Sequence, residues 1–343
     1  MANELLSTKS HDRKLYGRRW KVSLLVPLVS TEISADVNKY TAYVLSDSDY
    51  ENNALKVSFR IEKKGWKTPN FSEVTVYNVN TRDEKKYIEM GTRLLVEAGY
   101  KDGDYGVIYD GSIFQAMWER EDVVNIKLTF RCIDAMDILH ENHVETWANA
   151  LRWQKDAVLE MAKESRKPFS LEISEGMGNV QLPRGKVFFG NPMHYVRKYA
   201  QQYGTMPSAI DRKVYVHRPQ DPIPEDLNEK ALVLSPEQGG IIDLPQQTQD
   251  GITLTCLLNP RIKVFGPNAM MIKIDKKMIR QMALEYGSPG FSRLDENGVY
   301  RVLGVVHTGD TRGRDWYTTI IACNQTMEGT LAAMFLTKFD VVK

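Results

Sequence analysis

Four apolar residues at every second position, Leu55, Val57, Phe59 and Ile61, interleave with Lys56, Ser58, Arg60 and Glu62. A period of two with one apolar and one charged face fits a strand half-buried in a sheet; a helix repeats its apolar positions every three or four residues. The pattern returns at Val124, Ile126, Leu128, Phe130 and Cys132, which alternate with Asn125, Lys127, Thr129 and Arg131. It returns again at Ile252, Leu254, Cys256 and Leu258, and at Met270, Ile272 and Ile274. Strands separated by short turns are therefore expected towards both ends of the chain.

Taken in order, residues 20–29 read as a first strand and residues 33–45 as a second, or as a strand with a bulge. Residues 66–70 interrupt the alternation and 73–78 resume it, then 93–100, a turn at 101–104, and 106–113 follow. Six or so antiparallel strands with short turns make a small barrel or sandwich. Beyond about residue 135 the spacing changes: Val144, Trp147, Ala148, Leu151, Val158 and Ala162 predict a helix over 143–163, ended by Pro168. A second helix over 193–203 is punctuated by Asn191 as a cap, Pro192 at the first helical position and Gly204 after the end. A short strand at 214–216 precedes a loop or linker marked by Pro219, Pro222 and Pro224. The β pattern then returns, with a final short strand expected at 332–342. A chain of 343 residues has room for this division. The expected organisation is a basic arm (1–21), a first β domain (22–137), an α/β middle domain (138–238) and a second β domain (239–343). The fold class is mainly β with an α+β insert.

Charge narrows the function. A net charge of +1 argues against a dedicated nucleic-acid binder, whose affinity comes mostly from phosphate neutralisation. Lys9, Arg13, Lys14, Arg18, Arg19 and Lys21 nevertheless cluster at the start against Glu4 and Asp12 alone. Arg18, Arg19 and Trp20 with Tyr16 combine charge and stacking as a nucleic-acid contact would, but a short basic arm before a near-neutral body fits insertion between subunits better. Cys132, Cys256 and Cys323 are odd in number and widely spaced, which suggests neither a disulfide framework nor a zinc site. With no signal-like or membrane-spanning apolar run, a soluble protein made in the cytoplasm is expected.

The richest chemistry lies between two β-rich runs, 299–306 and 316–323. His307, Asp310, Arg312 and Asp315 there read either as a reactive cluster or as turn chemistry with Gly309 and Gly313. The apparent length of the connection exceeds common hairpin loops and predicts a projecting turn. Its spacing matches no ligand motif, and the glycines account for the reversal. Asp310 and Arg312 are expected in loop hydrogen bonds or pairs with a neighbouring subunit, and Trp316 as the anchor of the hairpin base. His140 and His143 stand three apart without a third ligand. Gly176–Gly178 and Gly185 lack a phosphate-loop pattern, and there is no Gly-x-Ser-x-Gly elbow. A hydrolase would require two opposed carboxylates, which spacing does not place together. No catalytic, cofactor-binding or metal residue is assigned.

Several phrases nonetheless resemble phage baseplate hub proteins, which are related to the hub half of type VI secretion spikes. Pro245-Gln-Gln-Thr248 before a strand that ends in Leu257-Leu-Asn-Pro260 looks like the start of their last domain. The hairpin 298–318 is similar to their terminal hairpin. Residues 55–63, Pro69-Asn70, 73–78 and 97–100 resemble their first barrel, and 195–203 followed by 214–216 keeps the order of their middle section. The resemblance implies two tail-tube-like antiparallel β-barrel domains and a homotrimeric ring of pseudo-sixfold symmetry in the virion's tail baseplate. That ring would join the tail tube protein to a central spike or tip protein and touch other baseplate proteins, the tape measure protein among them. It would let the genome pass without specific nucleic-acid binding, stable membrane insertion or a cofactor. The positions expected to shape such an interface are Gly251, Asn259, Pro260, Gly298, Tyr300, His307, Gly309, Asp310, Arg312, Gly313 and Trp316. The alternatives are the hub of a type VI secretion or bacteriocin injection machine, and a tail-associated peptidoglycan hydrolase.

Overall fold

The alternating segments are strands, and their order in space differs from their order in the chain. The computed structural model describes residues 17–27, 40–46, 55–65, 69–79, 92–217, 231–236, 240–248, 251–264, 271–281 and 294–324. The first β region contains β1 (Arg18–Pro27), β2 (Tyr40–Ser46), β3 (Val57–Lys64), β4 (Phe71–Tyr77), β5 (Arg93–Tyr100), β6 (Tyr105–Arg120) and β7 (Ile126–Ile133). The insert follows as α1 (Met136–Leu139), β8 (Val144–Ala148), α2 (Gln154–Glu164), β9 (Ser170–Ile173), β10 (Lys186–Gly190), α3 (Pro192–Gln202), β11 (Pro207–Ile210) and β12 (Lys213–Val216). The second β region has β13 (Leu232–Val233), β14 (Gln246–Thr248), β15 (Gly251–Leu257), β16 (Met271–Lys273), β17 (Arg280–Gln281), β18 (Val299–Asp310) and β19 (Trp316–Cys323).

Both β regions belong to one 14-stranded sheet. Its path runs β17-β14-β15-β19-β18-β3-β4-β7-β6-β5-β1-β2, with β16 and β13 branching from β18. β18 is the joint. One of its edges pairs with β19; the other pairs with β16 at residues 299–301 and with β3 at residues 304–310. The register against β19 shifts between Val302 and Gly304, and such an irregularity bends a strand and increases its twist. The mainly β class with an α+β insert stands. The two β regions, with separate cores, are joined in one sheet that does not close into a barrel among the described residues; its main path ends there at β2 and β17 and its branch at β13. The pairing between β3 and β18 that joins them leaves no local trace in the sequence.

Alternation builds the cores. Val57, Phe59 and Ile61 face Val74, Val76, Leu128 and Phe130 in a first cluster that also receives Leu258 and Trp316 from the second β region. Ile252, Leu254, Val302, Val305 and Ile320 make a second cluster. Fully burying side chains of this size contributes about 1.5–3 kcal/mol each.

In the insert, the helix expected over 143–163 is two elements. Val144 and Ala148 are buried while Trp147 is exposed, as in a strand, and the helix begins at Gln154 after a turn through Leu151. A strand, a turn and a helix in succession imitate three-and-four spacing when read as one element. α3 is as its punctuation indicates: the Met193 N–H donates to Asn191 Oδ1 at 2.8 Å, Pro192 leads the helix, and Gly204 sits at φ +69° after its end. The expected strand at 332–342, the proline-marked linker and residues 1–16 of the arm lie outside the described residues. Arg18–Lys21, grouped with the arm in sequence, are the first residues of β1.

Candidate interface at the β18–β19 turn

Strand pairing carries β18 past Val306 to Asp310, so the connection to β19 is only residues 311–315. His307, Thr308 and Gly309 pair with Thr318, Tyr317 and Trp316 on one side and with Ile61, Arg60 and Phe59 on the other. The long projecting loop expected from sequence is therefore a short turn, because a Gly- and Asp-containing stretch is paired along both edges.

That pairing also separates the suspected reactive cluster. His307 and Asp310 are three apart on one strand and point to opposite faces. His307 is buried, with Nδ1 3.0 Å from Thr318 Oγ1. The Thr318 hydroxyl already accepts from the Asn259 N–H at 3.0 Å, so its own hydrogen is available to Nδ1. Burial, reinforced by the positive charge of Lys63, lowers the His307 pKa from 6.5 to about 3 and holds the ring neutral.

Asp310 shapes the turn. Its Oδ1 accepts from the N–H groups of Arg312 and Gly313 at 2.9 and 2.8 Å, and its Oδ2 lies 3.5 Å from Lys56 Nζ. Partial burial would raise its pKa; those N–H groups and Lys56 outweigh it and hold the carboxyl below its ordinary value. A Cβ at position 313 would stand 2.7 Å from that carboxylate, and one at 309 would stand 2.3 Å from the Phe59 ring. Glycine is required at both by close approach.

The outer side of the turn is held by a residue that the sequence had grouped with the arm. Arg18 Nη1 donates to the carbonyls of Asp310 and Gly313 at 2.8 and 2.7 Å, and Nη2 donates to that of Arg314 at 3.0 Å. The guanidinium also stands 5.4 Å from the centroid of Trp316, whose buried ring meets Phe59 edge-on at 5.5 Å. Arg312, Arg314 and Asp315 are left exposed. The result is a polar knob tied by hydrogen bonds to Asp310 and Arg18, with His307 buried on the opposite face of the strand.

The remaining expected positions support this hairpin. Asn259 Oδ1 accepts from the Arg261 N–H at 3.0 Å, and Pro260 packs against Gly106 of β6. Gly251 and Gly298 open β15 and β18 at φ +142° and +70°, and Tyr300 is buried in the second core. His140 ends α1, whereas the His143 ring contacts Phe189 edge-on at 5.1 Å. Among the described residues, no group of three or more His, Cys, Asp or Glu is placed to hold a metal. The three cysteines are buried thiols whose pKa values burial raises, to about 12 for Cys256 and Cys323. Glu62 and Glu73 share a cleft of about 380 Å³ with Arg60 and Arg131. Burial raises the Glu62 pKa, but Lys64 and Arg60 bring it below the ordinary value, the reverse of what a general acid needs.

Sequence reasoning missed a charged seam between insert and sheet. Asp211, in the β11–β12 turn, pairs with Lys63 of β3 and accepts from the Asp110 N–H at 3.2 Å. Arg93 grips the Asp110 carboxylate through two bonds of 2.7 Å, and Arg212 meets Asp137 at 2.7 Å. Asp134 is fully buried there, with Asn70, Lys63 and Asp110 as neighbours. Burial, then the neighbouring Asp211, push its pKa well up. Asp211 and Arg212 both have positive φ, the conformation of a two-residue hairpin turn. Neither is the Asn or Gly that would have signalled it.

No protein-family model matches the chain, and no curated protein matches it. Among solved structures it is similar to the 43 kDa tail protein of prophage MuSo2 from Shewanella oneidensis: 8% identity, 90% of this chain and 97% of that one, TM-score 0.50. It is also similar to a chain of the lidless PdpA–VgrG complex: 8% identity, 92% of this chain and 67% of that one, TM-score 0.51. A tail protein from Neisseria meningitidis MC58 matches at 9% identity over 91% of this chain and 98% of that one, with a TM-score of 0.48. The chain thus shares its fold with a prophage tail protein and with a component of a VgrG complex.

Proposed function

We propose that the protein is the structural hub of a phage tail baseplate, three copies of which form a ring between the tail tube and the central spike or tip. The observation that supports this reading is the single sheet whose main path has two unlike ends. A closed ring of three copies requires heterologous contacts, one surface of each copy meeting a different surface of the next. Among the described residues β2 ends the sheet on one side and β17 on the other, so head-to-tail contact can continue it from copy to copy. Two β regions per copy, three times over, supply the six units that a hexameric tube would meet. A net charge of +1 suits a channel that passes a genome, because each phosphate neutralised adds binding that must later be undone. The knob at residues 311–315 faces a neighbouring copy or tube subunit. Gly251, Asn259, Pro260, Gly298, Tyr300, His307, Gly309 and Trp316 shape and hold the hairpin behind it. The role is non-enzymatic, and the other partners are baseplate proteins, the tape measure protein included.

Native mass spectrometry of the protein and electron cryo-microscopy of purified tails test the reading. Three copies in a ring at the end of the tube are expected; a single copy within an assembled tail overturns it. The likeness to a VgrG-complex chain favours a second reading, the hub of a contractile injection machine, which a sheathed source particle without capsid or packaged genome would select. Turnover of purified peptidoglycan, abolished by one carboxylate substitution, would select the hydrolase reading instead.

A further inference from the structure

Among the described residues, the insert's two-stranded sheet is covered on one face only. Val144 and Ala148 of β8 and Phe188 of β10 are buried in a core shared with α2 and α3. The opposite face carries Trp147, Val187 and Phe189, which are 66%, 70% and 64% exposed. Val187 pairs directly with Trp147, so the exposed side chains adjoin. The pairing continues along the neighbouring segment, where Trp153 bridges Gln181, Leu151 and Trp153 are also exposed, and the Leu151 N–H donates to the Leu182 carbonyl at 2.7 Å. A solvent-facing strand surface is ordinarily polar. Leu151 is in addition held at φ +65°, a conformation uncommon for a residue with a Cβ and one that clusters at functional sites.

We infer that this face is a docking site for an amphipathic α-helix of another protein. Three observations select that occupant. The first is area. Aromatic side chains carry about 150–250 Å² each, so five large residues exposed by roughly half to two-thirds present on the order of 600 Å² of apolar surface. That is the top of the range for the largest patch on a monomer, about 300–600 Å², and approaches the ~800 Å² that one partner gives to a standard protein interface. The second is the state of the sheet edge. The Tyr195 hydroxyl accepts from the Phe189 N–H and donates to the Phe189 carbonyl, both at 3.0 Å, which occupies the outer edge of β10 and blocks addition of a strand there. A partner at β10 therefore lies on the face, and the other side of the same sheet already takes helices. The third is charge. Glu145, exposed and directly opposite Phe189 in the register, sets a carboxylate at the margin of the apolar strip. The matching helix has apolar residues at i, i+3, i+4 and i+7 and a Lys or Arg beside them.

The test uses the full chain and an 18-residue fluorescein-labelled Leu/Lys/Ala peptide with that spacing, next to a scrambled peptide of the same composition. Saturable binding by anisotropy is expected for the helical peptide, weakened at least tenfold in Val187→Asp and several-fold in Glu145→Lys, with the scrambled peptide at least tenfold weaker. Both substituted side chains are exposed, and an unchanged melting temperature confirms that each variant is folded. Equal binding of the two peptides, or a Val187→Asp variant that binds like the wild type, overturns the inference. Sedimentation velocity supplies a separate arm: a concentration-dependent association lost in Val187→Asp would assign the face to a second copy and overturn it equally. A trimer that persists in wild type and variant alike bears on the ring and leaves the peptide result to decide the face.

Discussion

Replacing Arg18 by Ala removes three donors from the carbonyls of Asp310, Gly313 and Arg314 and a cation from the Trp316 ring. Hydrogen bonds to a charged group contribute about 1.5–3 kcal/mol each when well sheltered. Here one guanidinium makes all three and two of them are exposed, so the sum is far from additive; a total of about 2–4 kcal/mol, of which the ring contact supplies roughly 0.5–1, follows. At roughly 2 °C per kcal/mol for a chain of this size, the melting temperature should fall by about 4–8 °C. Amide exchange should quicken at Asp310, Arg312 and Gly313, whose N–H groups close the turn. Arg18→Lys should recover less than half of the loss, since an ammonium cannot fork across three carbonyls. The measurement belongs on the isolated chain. If Arg18→Ala melts like the wild type with unchanged exchange in the turn, and a defect emerges only in assembled particles, Arg18 is an arm residue that docks between subunits and the clamp is refuted.

Gly309→Ala should lower stability by about 1–3 kcal/mol, because the new methyl meets the Phe59 ring. Phe59→Leu in the same chain should restore part of the loss, and denaturation midpoints showing plain additivity would refute the contact. His307 has its folded pKa depressed from 6.5 to about 3, so the unfolded chain binds the extra proton. Its neutral form therefore supports the fold fully above pH 6.5, and that support is lost as pH falls from 6.5 towards 3. Between pH 7 and pH 4.5 the wild type should lose more stability than His307→Asn, and equal losses would count against the buried neutral ring. Asp134 has the opposite sign. Its folded pKa is raised above the ordinary 3.8, so stability is lost as pH rises above that value. Asp134→Asn should thus gain on the wild type at pH 8 relative to pH 4, as urea midpoints at the two pH values would show.

What could be read from the chain and what could not divide along physical lines. Residues 55–62 announced a strand because burial on one face forces a period of two, and α3 announced both its ends because capping chemistry is local. Residues 143–163 misled because β8 and α2 meet at a turn whose left-handed residue is Leu151 rather than Gly. His307 misled for the converse reason: Gly309 and Asp310 look like turn residues, yet pairing with Phe59 and Ser58 of β3, far earlier in the chain, keeps them in a strand. The same distance hid the joining of the two β regions. Arg18 gave no sign either, since three of its acceptors are backbone carbonyls that any sequence possesses.

The closing hairpin fastens the two β regions through three different forces. Backbone pairing joins β18 to β3 along residues 304–310. Apolar burial places Trp316 and Leu258 in the core of the first region although the chain reaches them in the second. Charge-assisted hydrogen bonding takes Arg18 of β1 to the turn itself. A linker between separate barrels would leave their relative orientation to be fixed at assembly, when ordering reduces the free energy of association. Shared strands set that orientation within one copy, before any partner arrives. A ring of the proposed kind, built from such copies, would have only the contacts between copies left to organise. Substitutions in the hairpin should accordingly be felt first in the folding of a single chain and only afterwards in its assembly.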